Sequence, residues 1–419
     1  MRDLLRNHGN VAPMLIDIRL VGPEHFEDFI RPIMTAFGSS PSVERLEQMK
    51  RVTELDTRIG AFDGDKHVAS AGVFAFDMST AGGKSVNTAG LTMVAVMPTH
   101  RRRGILRSLI QRHYDEARSK GQPIAALWAS EAQIYGRYGY GLASFAAEVS
   151  IERIRSAFVG PTPPIDARFV TDEEALALMP TLYDRARQSS PGMPSRSESW
   201  WKHRRLLDIE AVRMGFGPLQ RVVFYFDGQP EAYALYRLKL GFESPDIPVS
   251  TVKVLEAVGA TSRGTRAAWR YLCDIDLAGR IEATNLPVDH PLLLLLEEPR
   301  RAHCSIYDAL WVRILDIEAA LAARSYASRE SLVMEIEDAM CPWNSGRFRL
   351  DGETGRVTRT HEQAEMHLPI SSLGSAYLGG LTFSRMADVG AVEGKSDDAV
   401  EKADRLFHTA RAPWCPEIF

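Results

Sequence analysis

The sequence predicts a mixed α/β protein of more than one domain, on three observations. Its 419 residues are too many for a single ordinary core. Up to about residue 155, hydrophobic periods of two and of 3.6 residues alternate in the order strand, helices, antiparallel strands, strand–helix–strand. That order returns after a proline-rich stretch, and the pattern changes once more near Arg301.

Residues 1–13 are polar and contain glycine and proline, so they read as an extension ahead of Met14, and structure is expected from about Leu15, in "LIDIRLV". A helix follows over Glu24 to Phe37, and a shorter one after Pro41. Strands fill Thr57 to Val96, with turns at Asp63-Gly64-Asp65 and at "AGGK". Ile105, Leu106, Leu109, Ile110, Tyr114 and Ala117 form a helical stripe, and Gly121 and Pro123 stop it. "IAALWA" is a buried strand, and a short helix spans "EAQIYGRYGYG".

"FVGPTPPIDARFV" reads as a linker. Beyond it lie a helix near Asp172–Leu178, another at "SWWKHRRLL", the strands "RVVFYF" and "AYALYRLK", and a strand–helix pair in "STVKVLEAVGATSRGTRAAWRYLCDID". "DALWVRILDIEAALAARSYA" gives a strand and a helix, followed by hairpin-rich polar segments and the terminal "APWCPEIF".

Composition is that of an ordinary soluble protein, and a net charge of -4 leaves no global basic footprint for nucleic acid, so an anion site must be local. The N-terminus lacks a signal-peptide core, and the longest apolar run, Leu292 to Leu296, is too short to span a bilayer. Cys273, Cys304, Cys341 and Cys415 are scattered, with no metal-ligand spacing. A cytoplasmic protein without a metal is expected.

One local anion site stands out in "VAVMPTHRRRGILRSLI", where a strand gives way to Arg101, Arg102, Arg103 and Gly104 at the start of a helix. The first N–H groups of a helix lack intrahelical partners and sit at the positive end of its dipole. Glycine admits a ligand close to the backbone, and guanidinium groups add bidentate phosphate contacts. The pattern lacks both GxxxxGK[ST] and GxGxxG, so it is neither a P-loop nor a dinucleotide fingerprint. A solvated basic turn is the alternative. The uninterrupted apolar strand before it favours an anion site, because ligands of open α/β sheets bind at the carboxyl ends of buried strands.

"V-x-V-x-P-x-H-R-R-R-G-I-L" resembles motif A of the GCN5-related N-acetyltransferase (GNAT) superfamily, whose loop holds the diphosphate of acetyl-CoA; Leu106 stands where a small residue is usual. With "AALWASEAQIYGRYGYG", "PGMPSRSESWW", "DALWVRILDIEAALAARSY" and the terminal Phe419, nearly the whole chain resembles the enhanced intracellular survival (Eis) acetyltransferases. The resemblance implies two tandem GNAT-like mixed-sheet domains, 14–157 (catalytic) and 158–300 (non-catalytic). It also implies a sterol-carrier-like α/β domain, 301–419, ending in the active site, and a homohexamer.

Further, it implies acetyl-CoA as co-substrate, held by Val94, Ala95, Val96, Arg101, Arg102, Arg103, Gly104, Ile105, Leu106 and Ser130. Tyr135 of "IYGR" is then the general acid, ahead of Tyr138 and Tyr140; a phenol pKa of about 10 suits protonation of a leaving thiolate. The Phe419 carboxylate is the base, anchored by "APWCPEIF", with Glu131 and Glu417 as substitutes. Phe37, Met93, Trp128, Glu131 and Glu417 would wall the amine site, Met93 and Trp128 standing where the best-known family pattern carries Phe and His. Aminoglycoside-type or other polyamine acceptors are expected; protein lysines, or a non-catalytic role holding an apolar ligand, are the alternatives. His100 is expected to support the loop, and Cys415 to be an inert packed thiol.

Overall fold

The computed structural model describes residues 16–40, 42–52, 55–161, 164–244 and 247–419. The extension expected over residues 1–13, and Met14 and Leu15 with it, lie outside the described residues.

Strands β1 (Asp17–Leu20), β2 (Thr57–Asp63), β3 (Lys66–Ser79), β4 (Ser85–Val96) and β5 (Ile124–Trp128) form most of a seven-stranded sheet. Helices α1 (Phe26–Phe37), α2 (Val43–Val52) and α3 (Ile105–Ser119) belong to the same unit, and the short α4 (Ala132–Tyr135) follows β5. Side chains alternate across a strand, so the two faces of β3 bury different partners. Ala69, Ala71 and Val73 share a core with Ile105, Leu109 and Ile110 of α3. Phe74 and Phe76 face the other way and pack with Phe29 of α1.

Two strands are exchanged between units. Leu310–Ile314 pairs antiparallel with β5 and completes the first sheet, beside Gly141–Leu142. Phe145–Glu152 leaves it for a second seven-stranded sheet, between Ser305–Asp308 and Ala278–Pro287. The sheets therefore cross chain positions 157/158 and 300/301. The second sheet continues through Ser250–Gly259, Gln229–Lys239 and Gln220–Phe226 to Asp166–Phe169. The helix expected over Asp172–Leu178 runs on to Arg187. Ala175, Met179, Leu182 and Tyr183 keep its buried stripe going past Pro180.

The C-terminal unit has a five-stranded sheet, Val357–Arg359, Gly346–Asp351, Ser331–Glu337, Met366–Pro369 and Glu393–Gly394 in that order. Its apolar side chains share one core with Ile124, Ala126, Leu310 and Val312 of the first sheet. Helix Ile370–Ala376 lies almost on the backbone there: a Cβ on Gly374 would stand 2.4 Å from the Val312 carbonyl oxygen, and one on Gly141 1.9 Å from that of Ser371. Among the described residues no helix is long and apolar enough to cross a membrane, and no group of His, Cys, Asp and Glu is arranged to hold a metal.

A buried ion pair joins the exchanged strand to the C-terminal unit. One Arg313 nitrogen donates to both Asp338 oxygens at 2.7 Å. The same carboxylate accepts from the backbone N–H groups of Met340 and Cys341 and from Asn344. Removing one partner of a buried pair strands the other's charge, at about 3–5 kcal/mol. Asp338→Ala is expected to lose that much in a denaturant titration; a loss within about 0.5 kcal/mol, the size of an ordinary surface substitution, would contradict it.

Candidate active site

Strand β4 carries the bulge that opens the first sheet. Its register against β3 slips between Ser70–Ala95 and Gly72–Thr92, and Met93 adopts φ 51° at the slip. A bulge adds a residue and shifts the alternation of faces. Met93 consequently packs on the α1 face, while Val94 and Val96 lie on the α3 face. Parallel pairing of β4 with β5 ends at Gly90–Ala126, although β4 runs on to Val96 and β5 to Trp128. The strands part there in a V.

A cavity of about 710 Å³ sits at this opening. Of the residues expected to hold coenzyme, Val94, Ala95, Val96, Arg101, Arg102, Gly104, Ile105, Leu106 and Ser130 line it; Arg103 does not. Gly104 caps α3 with φ 80°, a left-handed backbone that glycine adopts without strain. No side chain caps this helix end, and a Cβ on Gly104 would meet nothing within 4 Å. The first-turn N–H groups are thus open to an anion. His100 lines the cavity as well, held 3.2 Å from an Asp63 oxygen and 2.8 Å from the Thr99 hydroxyl. Arg107, absent from the expected set, also lines the cavity. Its signal was its place three residues past Gly104, on the first helical turn.

The central unit has a similar helix start with its end closed. There the Thr261 hydroxyl accepts from the Gly264 N–H at 3.0 Å, and Arg263 is paired with Glu231.

Tyr135 and Tyr138 line the cavity, while Tyr140 is buried core behind them, its ring 5.8 Å from that of Tyr135. Burial, with Tyr138 and Glu131 nearby, pushes the Tyr135 phenol up to about 12. It therefore keeps its proton throughout the neutral range. Phe37 and Glu131, expected at the amine, line the same cavity as the arginines.

The tail docks as its composition suggests. Trp414 donates from its indole to the Asn285 carbonyl, Asn285 donates to the Cys415 carbonyl, and Arg205 donates to that of Pro416. A π-helical turn over Trp201–Arg205 also aims Arg204 at the Ile418 carbonyl, to which it donates. Phe419 ends on the α1 face, its ring 5.0 Å from Phe76. A Cβ on Gly90 would stand 3.2 Å from that ring, so Phe419 lies over the last residue paired with β5. Met93 and Trp128 pack in cores that include Phe419, away from the arginine cavity. Cys415 is buried with its thiol pushed up to about 12, as an inert packed thiol should be.

Glu417 needs correction. Expected to attract a cationic substrate, with a second role as substitute base, it is sealed in a four-charge cluster. Arg196 lies 2.5 Å and Arg205 2.8 Å from it, and Glu256 shares both arginines. Burial raises its carboxyl, but Arg196, Arg205 and Arg204 outweigh that and hold it at about 2. Its charge is spent inside the protein. The partners lie far away in sequence, which is why the tail alone did not reveal them.

Three domain families match this chain: an acetyltransferase (GNAT) domain over residues 17–143, a second acetyltransferase (GNAT) domain over 192–314, and a sterol carrier protein domain over 317–416. An uncharacterized N-acetyltransferase of Streptomyces avermitilis is 38% identical over 97% of this chain and 100% of its own length. N-acetyltransferase Eis of Mycobacterium tuberculosis is 34% identical over 84% of this chain and 85% of its own. The crystal structure of Eis1 from Mycobacterium abscessus is 30% identical and superposes with a TM-score of 0.83, covering 97% of this chain and 100% of that one. With two GNAT domains, a sterol carrier protein domain and this extent of identity, the chain belongs to the Eis family of N-acetyltransferases.

Proposed function

We propose that the chain acetylates a primary amine of a small molecule in the opening between β4 and β5, with Tyr135 as general acid and the Phe419 carboxylate as general base. One observation carries this reading. The strands part at Gly90, with an arginine-rich cavity on the α3 face and Phe419 on the other.

Acetyl-CoA fits the α3 face. Arg101, Arg102, Arg107 and the uncapped first turn of α3 suit its diphosphate, and among the described residues β4 beyond Gly90 has no strand partner on its β5 side to compete for the pantetheine arm. The co-substrate supplies an activated thioester; the protein supplies position and two proton transfers. The Phe419 carboxylate takes a proton from the amine, whose nitrogen bonds to the acetyl carbon. Tyr135 gives its proton to the sulfur as the C–S bond breaks, leaving the amide and a free thiol.

In a thiol-release assay, Tyr135→Phe is expected to lower kcat by about 10²-fold or more with little change in the acetyl-CoA KM. Full activity in that variant would remove the acid. Arg101→Ala and Arg102→Ala are each expected to raise the acetyl-CoA KM about tenfold, from roughly 1.5 kcal/mol per charge-assisted bond, with kcat held. An unchanged KM would remove the diphosphate site.

A further inference from the structure

The central unit has an opening of its own. Strand Ser250–Gly259 pairs in parallel with Ala278–Pro287 only as far as Val254 and Ala283, and both strands run on. A cavity of about 590 Å³ lies at their carboxyl ends, where open α/β sheets receive ligands. That volume falls within the roughly 300–1,000 Å³ of small-molecule sites. Coenzyme does not suit it, because the helix start beside it is capped by Thr261 and Arg263 is held by Glu231.

Two further arginines line the cavity, Arg266 and Arg411. Arg266 donates to the Val159 and Gly160 carbonyls, neutral acceptors that leave its charge uncompensated, and its Nε is buried without a hydrogen-bond partner. Arg411 acts on the His290 ring, which burial chiefly, and this charge next, hold down at about 4 and so neutral. Among the described residues no carboxylate lies within 4 Å of either guanidinium. Asp289 lines the cavity too, one of its oxygens accepting from the Ala412 N–H. Arg266 and Arg411 against Asp289 leave one positive charge unmatched. Trp414, Leu286 and Leu295 give the cavity an apolar side.

We infer that this cavity is a second ligand site, for a small monocarboxylate on an aromatic or branched aliphatic body. The carboxylate meets Arg411 and Arg266, and the body rests on Trp414, Leu286 and Leu295. A phosphate monoester, with about two negative charges, would exceed the single charge the wall offers. The site lies outside the β4–β5 opening and does not depend on acetyl transfer there.

Calorimetry on the full chain tests the site with indole-3-acetate and 4-methylpentanoate, each titrated with and without excess coenzyme A. Both carboxylates are expected to bind with a Kd of about 1 mM or tighter, and coenzyme A should leave that Kd unchanged. Tryptamine, a cation on the same ring, is expected to bind at least about tenfold more weakly than indole-3-acetate. Arg411→Gln is expected to weaken indole-3-acetate about tenfold by removing a charge-assisted bond. Arg411 is exposed, so the thermal midpoint of the variant should match the original. Four results would each overturn the inference. They are no binding of either carboxylate, tryptamine binding as tightly, an Arg411→Gln protein that binds as well as the original, and displacement of indole-3-acetate by coenzyme A.

Discussion

Two or three glycines appended after Phe419 are expected to lower kcat by about 10²–10⁴-fold, the range a positioned general base contributes. The extension turns the Phe419 carboxylate into an amide and carries the terminal carboxylate further along the chain. The tail itself stays anchored through Trp414, Cys415 and Pro416, so the thermal midpoint should change little. The acetyl-CoA KM should also hold, because Arg101, Arg102 and the α3 N-terminus are untouched. Thiol release and a thermal melt on the same preparation check all three. Undiminished turnover with a native melt would remove the base.

Glu417→Gln is expected to cost about 3–5 kcal/mol in the central unit, because Arg196 and Arg205 would be left with Glu256 alone. The pH dependence has a definite sign. The folded carboxyl sits at about 2 against a usual 4.5, so its contribution is fully present above about pH 4.5 and disappears as pH falls toward 2. Denaturant midpoints of the original and the variant should differ most near neutrality and converge across that window. A constant gap at every pH would mean that Glu417 acts by packing rather than charge.

Much of the site was readable because its groups are neighbours in sequence. Arg101 to Leu106 occupy one strand-to-helix turn, and Tyr135 follows β5 by seven residues, so local spacing places them in one cavity. The docked tail was legible for a related reason: prolines, Trp414 and apolar end residues are a poor composition for a frayed terminus. Other features depend on distant pairing. "LWVRI" reads as a strand, yet nothing local says that it joins β5 while Phe145–Glu152 departs for the second sheet. The core under α1 brings Trp200 edge-on to Phe74 and Phe76 across more than a hundred residues. Glu417 was misassigned for the same reason, since an acidic residue near a chain end looks free until the arginines that neutralise it are seen.

The central claim, that the coenzyme lies in the β4–β5 opening with its sulfur toward Phe419, is tested most directly by a crystal structure of the full chain with coenzyme A. The account predicts diphosphate oxygens within about 3 Å of the first-turn N–H groups of α3 and of Arg101 or Arg102, with the sulfur between Tyr135 and the Phe419 carboxylate. Coenzyme bound instead in the central-unit cavity beside Thr261, Arg263 and Arg411, with the arginine loop bare, would contradict it.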